Sequence, residues 1–170
     1  MDFLELAKTR YSVRKYKDQA VEQEKLDKIL EAGRVAPTAV NNQPQIIYVA
    51  KSKDALEKLA KHSPCTFDAP IVFICCYDRN KESYNPDTES HNGAIDIDIV
   101  QTQMMLEATE LGLGTCWVKR FDPAGVRAEF DIPKNIKIVS LMPCGYPADD
   151  SVPSPRHLDL RPASETIFEL

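Results

Sequence analysis

The stretch from His91 to Val118, HNGAIDIDIVQTQMMLEATELGLGTCWV, constrains the fold of this chain more than any other. Its first part, Ala94 to Leu113, is about twenty residues of helix-forming sequence, enough for ~30 Å of α-helix. Ile95, Ile97, Ile99, Val100, Met104, Met105, Leu106, Ala108, Leu111 and Leu113 fall all round that helix rather than along one stripe. A helix with this pattern is buried against structure on several sides. Asp96, Asp98, Gln101, Gln103, Glu107 and Glu110 interrupt the apolar surface, so the segment is not a membrane span. Gly112-Leu-Gly114 ends the helix with residues that take the left-handed cap, and Thr115-Cys-Trp-Val118 begins a strand. The other elements have to pack around this helix and strand.

Those elements can be read in order. Asp2 caps a short helix through Ala7. A second helix runs from about Glu22 to Val35, with Leu26, Ile29, Leu30 and Gly33 at helical spacing, and Ala36-Pro37 stops it. Ile46 to Val49 is a strand and Lys53 to His62 an amphipathic helix. The run Pro70-Ile-Val-Phe-Ile-Cys-Cys-Tyr77 is continuously apolar, as a strand covered on both faces must be. Asp78 to Ser90 is polar and reads as an exposed loop. Asp122-Pro123 opens a short helix to Phe130, and Ile136 to Met142 is a further strand closed by Pro143-Cys-Gly-Tyr-Pro147. Residues 148–170 carry three prolines and little periodicity, so they form an arm that is disordered or laid across something, a second subunit included. The expectation is one α+β domain over 1–170, with 148–170 as a C-terminal arm.

At 170 residues a single domain can bury a real core. A net charge of −5 argues against nucleic-acid binding, which needs a basic face to displace counterions. The first residues, MDFLELAKTRYSVRKY, contain no apolar signal core. Five cysteines without a Cys-x-x-Cys pair suit reduced core packing, and the expected compartment is the cytoplasm.

Two loops stand out chemically. Arg10, Ser12 and Arg14 alternate in Thr9-Arg-Tyr-Ser-Val-Arg-Lys-Tyr16, so an extended backbone projects them to one side. Two guanidiniums and a hydroxyl suit a phosphate dianion; the alternative is a solvated basic turn. In Pro37-Thr-Ala-Val-Asn-Asn-Gln-Pro44, Asn41 and Gln43 offer the mixed donors and acceptors that a heterocycle edge requires, unless they only satisfy loop backbone. Trp117 either flanks a bound ring or belongs to the core. Gly112-Leu-Gly114 follows a helix rather than a strand and lacks a third glycine, so it is no dinucleotide fingerprint. His62, His91 and His157 are dispersed, without the neighbours a metal site needs, and no serine sits in a nucleophile elbow. If the chain is an enzyme, its chemistry belongs to a bound cofactor.

Five segments in order resemble the FMN-dependent nitroreductase family: Arg10-Tyr-Ser-Val-Arg-Lys-Tyr16, Ala36-Pro-Thr-Ala-Val-Asn-Asn-Gln-Pro44, Ala69-Pro70 before the buried strand, Leu111-Gly-Leu-Gly-Thr-Cys-Trp117 and Gly145-Tyr-Pro147. Arg161-Pro162 is a weaker sixth. The resemblance implies a three-layer α+β fold, with a central, mostly antiparallel sheet flanked by helices and a long buried central helix, in a homodimer with flavin sites at the subunit interface. It implies FMN as cofactor, with Arg10, Tyr11, Ser12 and Arg14 at the phosphate and ribityl end and Arg161 as a late phosphate contact. Pro37, Thr38, Ala39, Asn41 and Gln43 would reach the flavin of the other subunit. Trp117 and Val118 would pack on the ring, and a backbone N–H near Lys119 would donate to its hydride-accepting nitrogen. The implied activity passes hydride from NADH or NADPH through the flavin to a nitroaromatic, quinone or similar acceptor by a ping-pong mechanism. Lys119 and Arg120 stand where many relatives carry small glycines, so they either stabilise the reduced flavin or crowd its face. Two further readings are a flavin-binding carrier or sensor without turnover, and a flavin enzyme reduced by a protein donor.

Overall fold

A computed structural model describes residues 2–170 of the chain. Helix α1 (Phe3–Thr9) begins where the Asp2 carboxylate accepts the Glu5 N–H at 3.0 Å, the cap expected from the sequence. It is followed by α2 (Gln23–Arg34), β1 (Gln45–Ala50), α3 (Lys53–His62) and β2 (Ile71–Asp78). Next come the short strands β3 (Tyr84–Asn85) and β4 (Ser90–His91), then α4 (Gly93–Glu110), β5 (Gly114–Thr115), α5 (Pro123–Glu129) and β6 (Ile136–Gly145). The tail holds two single 3-10 turns, Pro155–His157 and Ala163–Glu165.

Strands β1, β2, β6 and β5 form, in that order, one antiparallel sheet. On β2 the side chains alternate between two cores, because successive residues of a strand face opposite ways. Ile71, Phe73 and Cys75 join Leu26 and Ile29 of α2 and Ile97, Val100 and Met104 of α4. Val72, Ile74 and Cys76 join Leu59 of α3, Val126 of α5 and Leu141 of β6. Helices therefore cover both faces, and the chain is the expected three-layer α+β fold. Each fully buried side chain of β2 contributes about 1.5–3 kcal/mol relative to exposure.

Helix α4 ends in a Schellman turn. Gly112 takes φ 77°, its N–H donates to Thr109 O at 3.0 Å, and Leu113 N–H reaches back to Ala108 O at 2.8 Å. Lys25 of α2 donates to the carbonyl of Leu111, the residue that closes α4, at 2.8 Å, adding a cation where the helix dipole favours one.

Two sequence expectations are corrected. The segment from Asp78 to Ser90 is not wholly loop, since Tyr84 pairs with His91 and Asn85 with Ser90 in a small hairpin. Strand β6 does not stop at Met142 but continues to Gly145, with Val72 paired to Pro143, whose carbonyl still accepts the Cys116 N–H at 3.2 Å. The central helix is buried against structure on several sides, as expected, with Ile97, Val100, Met104 and Ala108 in the core, while Ile95 and Ile99 remain 55% and 37% exposed and polar Asp96 and Gln101 are buried. Among the described residues no helix is long and apolar enough to cross a membrane.

Candidate functional site

The basic segment leaves α1 at Arg10, whose N–H closes the helix on Leu6 O at 3.1 Å, and then runs extended along the edge of the sheet. Ser12 forms a parallel bridge with Thr115 of β5, and the Val13 N–H donates to Thr115 O at 2.9 Å. Val13 is buried over Gly114, where an added Cβ would stand 2.3 Å from Val13 Cγ2. Glycine at that position is what lets the segment lie against the strand. With Val13 pointing inward, Ser12 and Arg14 flank it, as alternation requires.

The charges of this segment divide cleanly. Lys15 is neutralised by Asp150 at 2.5 Å and Lys17 by Asp149 at 2.6 Å, because residues 148–150 run antiparallel beside them. The Tyr11 hydroxyl donates to Ser151 O at 3.1 Å and fastens the same tail. Among the described residues neither Arg10 nor Arg14 pairs with a carboxylate; Arg14 Nη1 donates to Ser12 O at 3.1 Å. Thr115 Oγ1, under the bridge, is shielded from solvent without a hydrogen-bond partner. The neighbouring Cys116 thiol is pushed up by burial, partly opposed by the Arg14 charge and a hydrogen bond with Ser12. Burial likewise drives the Tyr16 phenol far above its ordinary value. Two guanidiniums and hydroxyls, without a compensating acid among the described residues, are the groups with which proteins grip an anion.

Beyond Thr115 the chain continues along the sheet. Val118 exchanges hydrogen bonds with Leu141 at 2.9 and 3.0 Å and is buried, while Trp117 is half-buried between edge and solvent. At ~3.3 Å per residue, four extended residues from Thr115 to Lys119 would span at most ~13 Å, comparable with the reach of a ribityl chain and its ring. Lys119 does not project freely: its Nζ donates to Val139 O at 3.2 Å and lies 3.8 Å from Asp98 Oδ1. Arg120 is exposed, and its carbonyl accepts the Ser63 hydroxyl at 2.8 Å.

The loop Pro37 to Gln43 is tied to the first turn of α4. Ala39 N–H donates to Asp96 Oδ1 at 2.8 Å, and Gln43 N–H to Thr38 Oγ1 at 3.0 Å. Val40, Asn41 and Gln43 take φ of 47°, 57° and 48°, a conformation non-glycine residues adopt at a cost. Gln43 Nε2 reaches Asn41 O at 3.4 Å, so part of the amide chemistry does satisfy the loop itself. Arg161 is bonded within its own tail, through Nε to Glu165 Oε2 at 3.2 Å and Nη2 to Glu165 O at 3.1 Å.

The sequence matches the Nitroreductase family over residues 7–71 and 61–146, which takes in the basic segment, the loop and both central strands. The chain belongs to the nitroreductase family. A relative from Methanothermobacter thermautotrophicus, provisionally named NADH dehydrogenase/NAD(P)H nitroreductase, is 35% identical over 157 residues, covering 88% of this chain and 80% of the relative. The crystal structure of a nitroreductase family protein from Clostridium difficile 630 superposes with a TM-score of 0.92 at 40% identity, covering 99% of this chain and 98% of that one. An FMN-dependent nitroreductase from Clostridium difficile R20291 gives 0.80 at 29% identity and covers 99% of each chain.

Within this nitroreductase fold, sequence reasoning missed the acidic members of the site region. Asp96 and Asp98 were legible only as interruptions of an apolar helix. A buried carboxylate in the first turn of a long helix, where the dipole favours it, was the available signal for Asp96. Asp98 carried no such signal, because its meaning depends on Lys119, twenty-one residues away in sequence.

Proposed function

We propose that this nitroreductase-family chain is a homodimeric FMN-dependent oxidoreductase that passes hydride from NADH or NADPH to a small acceptor such as a nitroaromatic or quinone. One observation carries the reading: among the described residues Arg10 and Arg14, two positions either side of the Ser12 that bridges Thr115, have no acidic partner, while Lys15 and Lys17 of the same segment are neutralised. A flavin phosphate supplies the missing anion, and the arginines grip it through charge-assisted hydrogen bonds. Arg161 adds a phosphate contact only if its pairing with Glu165 opens.

Bound FMN would supply the hydride chemistry. The residues of the chain orient it. Ser12 and Tyr11 would hold the ribityl end, Trp117 and the backbone at Val118 would lie against the ring, and the backbone N–H near Lys119 would serve its hydride-accepting atom. Arg120 adds positive potential at the same end. Pro37, Thr38, Ala39, Asn41 and Gln43 would serve the partner's flavin, from a loop anchored on α4 through Asp96. Exposed apolar side chains support the dimer: Phe3 and Val35 line a groove of about 630 Å³ between α1, α2 and α4, and Ile95 and Ile99 are exposed nearer the start of α4. The alternative of a non-catalytic flavin carrier supposes that cations block the ring face, and the contacts that draw Lys119 toward Val139 and Asp98 weigh against it.

Steady-state kinetics with FMN-loaded protein test the proposal. Varying NADH or NADPH against a quinone should give parallel double-reciprocal lines, the pattern of a shared site used in turn. An FMN-loaded protein that oxidises neither nucleotide would refute it.

A further inference from the structure

Strand β6 contains a β-bulge opposite Cys75 and Cys76 of β2. The β2 partners step from Ser140 opposite Cys75 to Ile138 opposite Cys76, so Val139 has no partner across the pair. Bulges re-aim side chains and recur beside active sites. Here the Val139 carbonyl accepts Lys119 Nζ at 3.2 Å. The same ammonium lies 3.8 Å from Asp98 Oδ1, an oxygen shielded from water that no hydrogen-bond donor reaches. The next residue of the bulge, Ser140, donates to Gln101 Oε1, and Gln101 is wholly buried one helical turn beyond Asp98. Two successive residues of the bulge thus fix Lys119 and α4 relative to one another. The Cys75 thiol faces both Asp98 and Lys119, and its burial keeps it neutral, so it adds no charge.

We infer that Lys119 is a fixed tuning cation that favours the reduced form of the bound flavin, and that Asp98 is its counterweight. The inference rests on the FMN reading above, in which Lys119 follows Val118 at the ring end of the segment. A hydride carries one proton and two electrons from the reduced nicotinamide, which departs oxidised, and the flavin gains the negative charge. An ammonium held nearby stabilises that form more than the oxidised one. The carboxylate of Asp98 cancels part of the effect, and because the two side chains are 56% and 44% exposed, added salt weakens both. This is a property of the chain's own lysine. It turns the apparent obstruction of the ring face into control of the flavin potential.

The test is the two-electron midpoint potential of FMN-loaded protein, measured against reference dyes in low salt for the wild type, Lys119→Met, Lys119→Arg and Asp98→Asn. Lys119→Met should lower the preference for reduced over oxidised flavin about tenfold, a potential ~30 mV more negative. Asp98→Asn should shift it a few-fold the opposite way, and Lys119→Arg should stay near the wild type. Opposite signs are the signature, since a merely structural brace would lower the melting temperature in both variants without moving the potential in opposite directions. Potentials of Lys119→Met and Asp98→Asn within twofold of wild type, or displaced in the same direction, would overturn the inference while leaving the cofactor reading intact. A wild-type protein that takes up no FMN would overturn the cofactor reading first.

Discussion

Replacing Arg14 with alanine isolates the chemistry of the basic segment. The guanidinium is exposed, and its hydrogen bond within the chain goes to the backbone carbonyl of Ser12 at 3.1 Å. Its loss therefore changes folding stability by no more than about 0.5 kcal/mol, as for other surface substitutions without special contacts. Binding is different. A hydrogen bond to a charged group contributes about 1.5–3 kcal/mol, so Arg14→Ala should weaken FMN affinity about 10–150-fold, with partial solvation of the site favouring the lower half. Lys15→Ala is the control, because the Lys15 ammonium is already neutralised by Asp150 at 2.5 Å on the exposed surface. Titration of FMN fluorescence at low and high salt provides the assay, alongside thermal melts. The wild-type affinity should fall with salt, and that dependence should be shallower in Arg14→Ala. Equal affinity in Arg14→Ala and wild type, or an equal loss in Lys15→Ala, would show that the segment is only a solvated basic turn.

Three further outcomes follow from packing and titration. Phe73→Ala removes a fully buried ring from β2 between α2 and α4 and should cost about 3–5 kcal/mol in urea unfolding. Gly114→Ala places a methyl 2.3 Å from Val13 Cγ2 and should cost about 1–3 kcal/mol. Because it also pushes the basic segment off β5, FMN affinity should fall with it. Burial pushes the Cys76 and Cys144 thiols up to about 12 from an ordinary 9.0. These groups ionise more readily unfolded than folded, so their stabilising effect is complete below pH 9.0 and is lost as pH rises towards about 12. Melting temperatures across that range should fall steadily, and in native protein near neutrality a thiol reagent should label Cys65, which is only half-buried, far faster than the other four.

Much of the fold was legible because local signals agreed with the tertiary outcome. The apolar run Ile71–Cys76 could only be a strand covered on both faces, and it divides its side chains between two cores. Asp122-Pro123 opened α5 by the cap expected, with Asp122 Oδ1 accepting the Ala124 N–H at 3.0 Å. The hairpin Tyr84–His91 was not legible, because strands of two residues have no periodicity to read. The extension of β6 past Pro143 was hidden by the usual exclusion of proline from sheet interiors. At the site, Arg10, Ser12 and Arg14 could be grouped by alternation alone. That Lys15 and Lys17 would be neutralised by Asp149 and Asp150 could not, since those partners come from a tail without pattern. The same limit applies to Lys119, whose direction is decided by a bulge on β6 and a carboxylate on α4.

The central claim is that this chain holds FMN and reduces it with a nicotinamide, and the visible absorption spectrum of the purified protein before and after anaerobic NADH or NADPH tests it most directly. A flavin band that bleaches on adding nucleotide is the predicted result. A band that persists with both nucleotides would contradict the donor, and no flavin band even after incubation with FMN would contradict the cofactor.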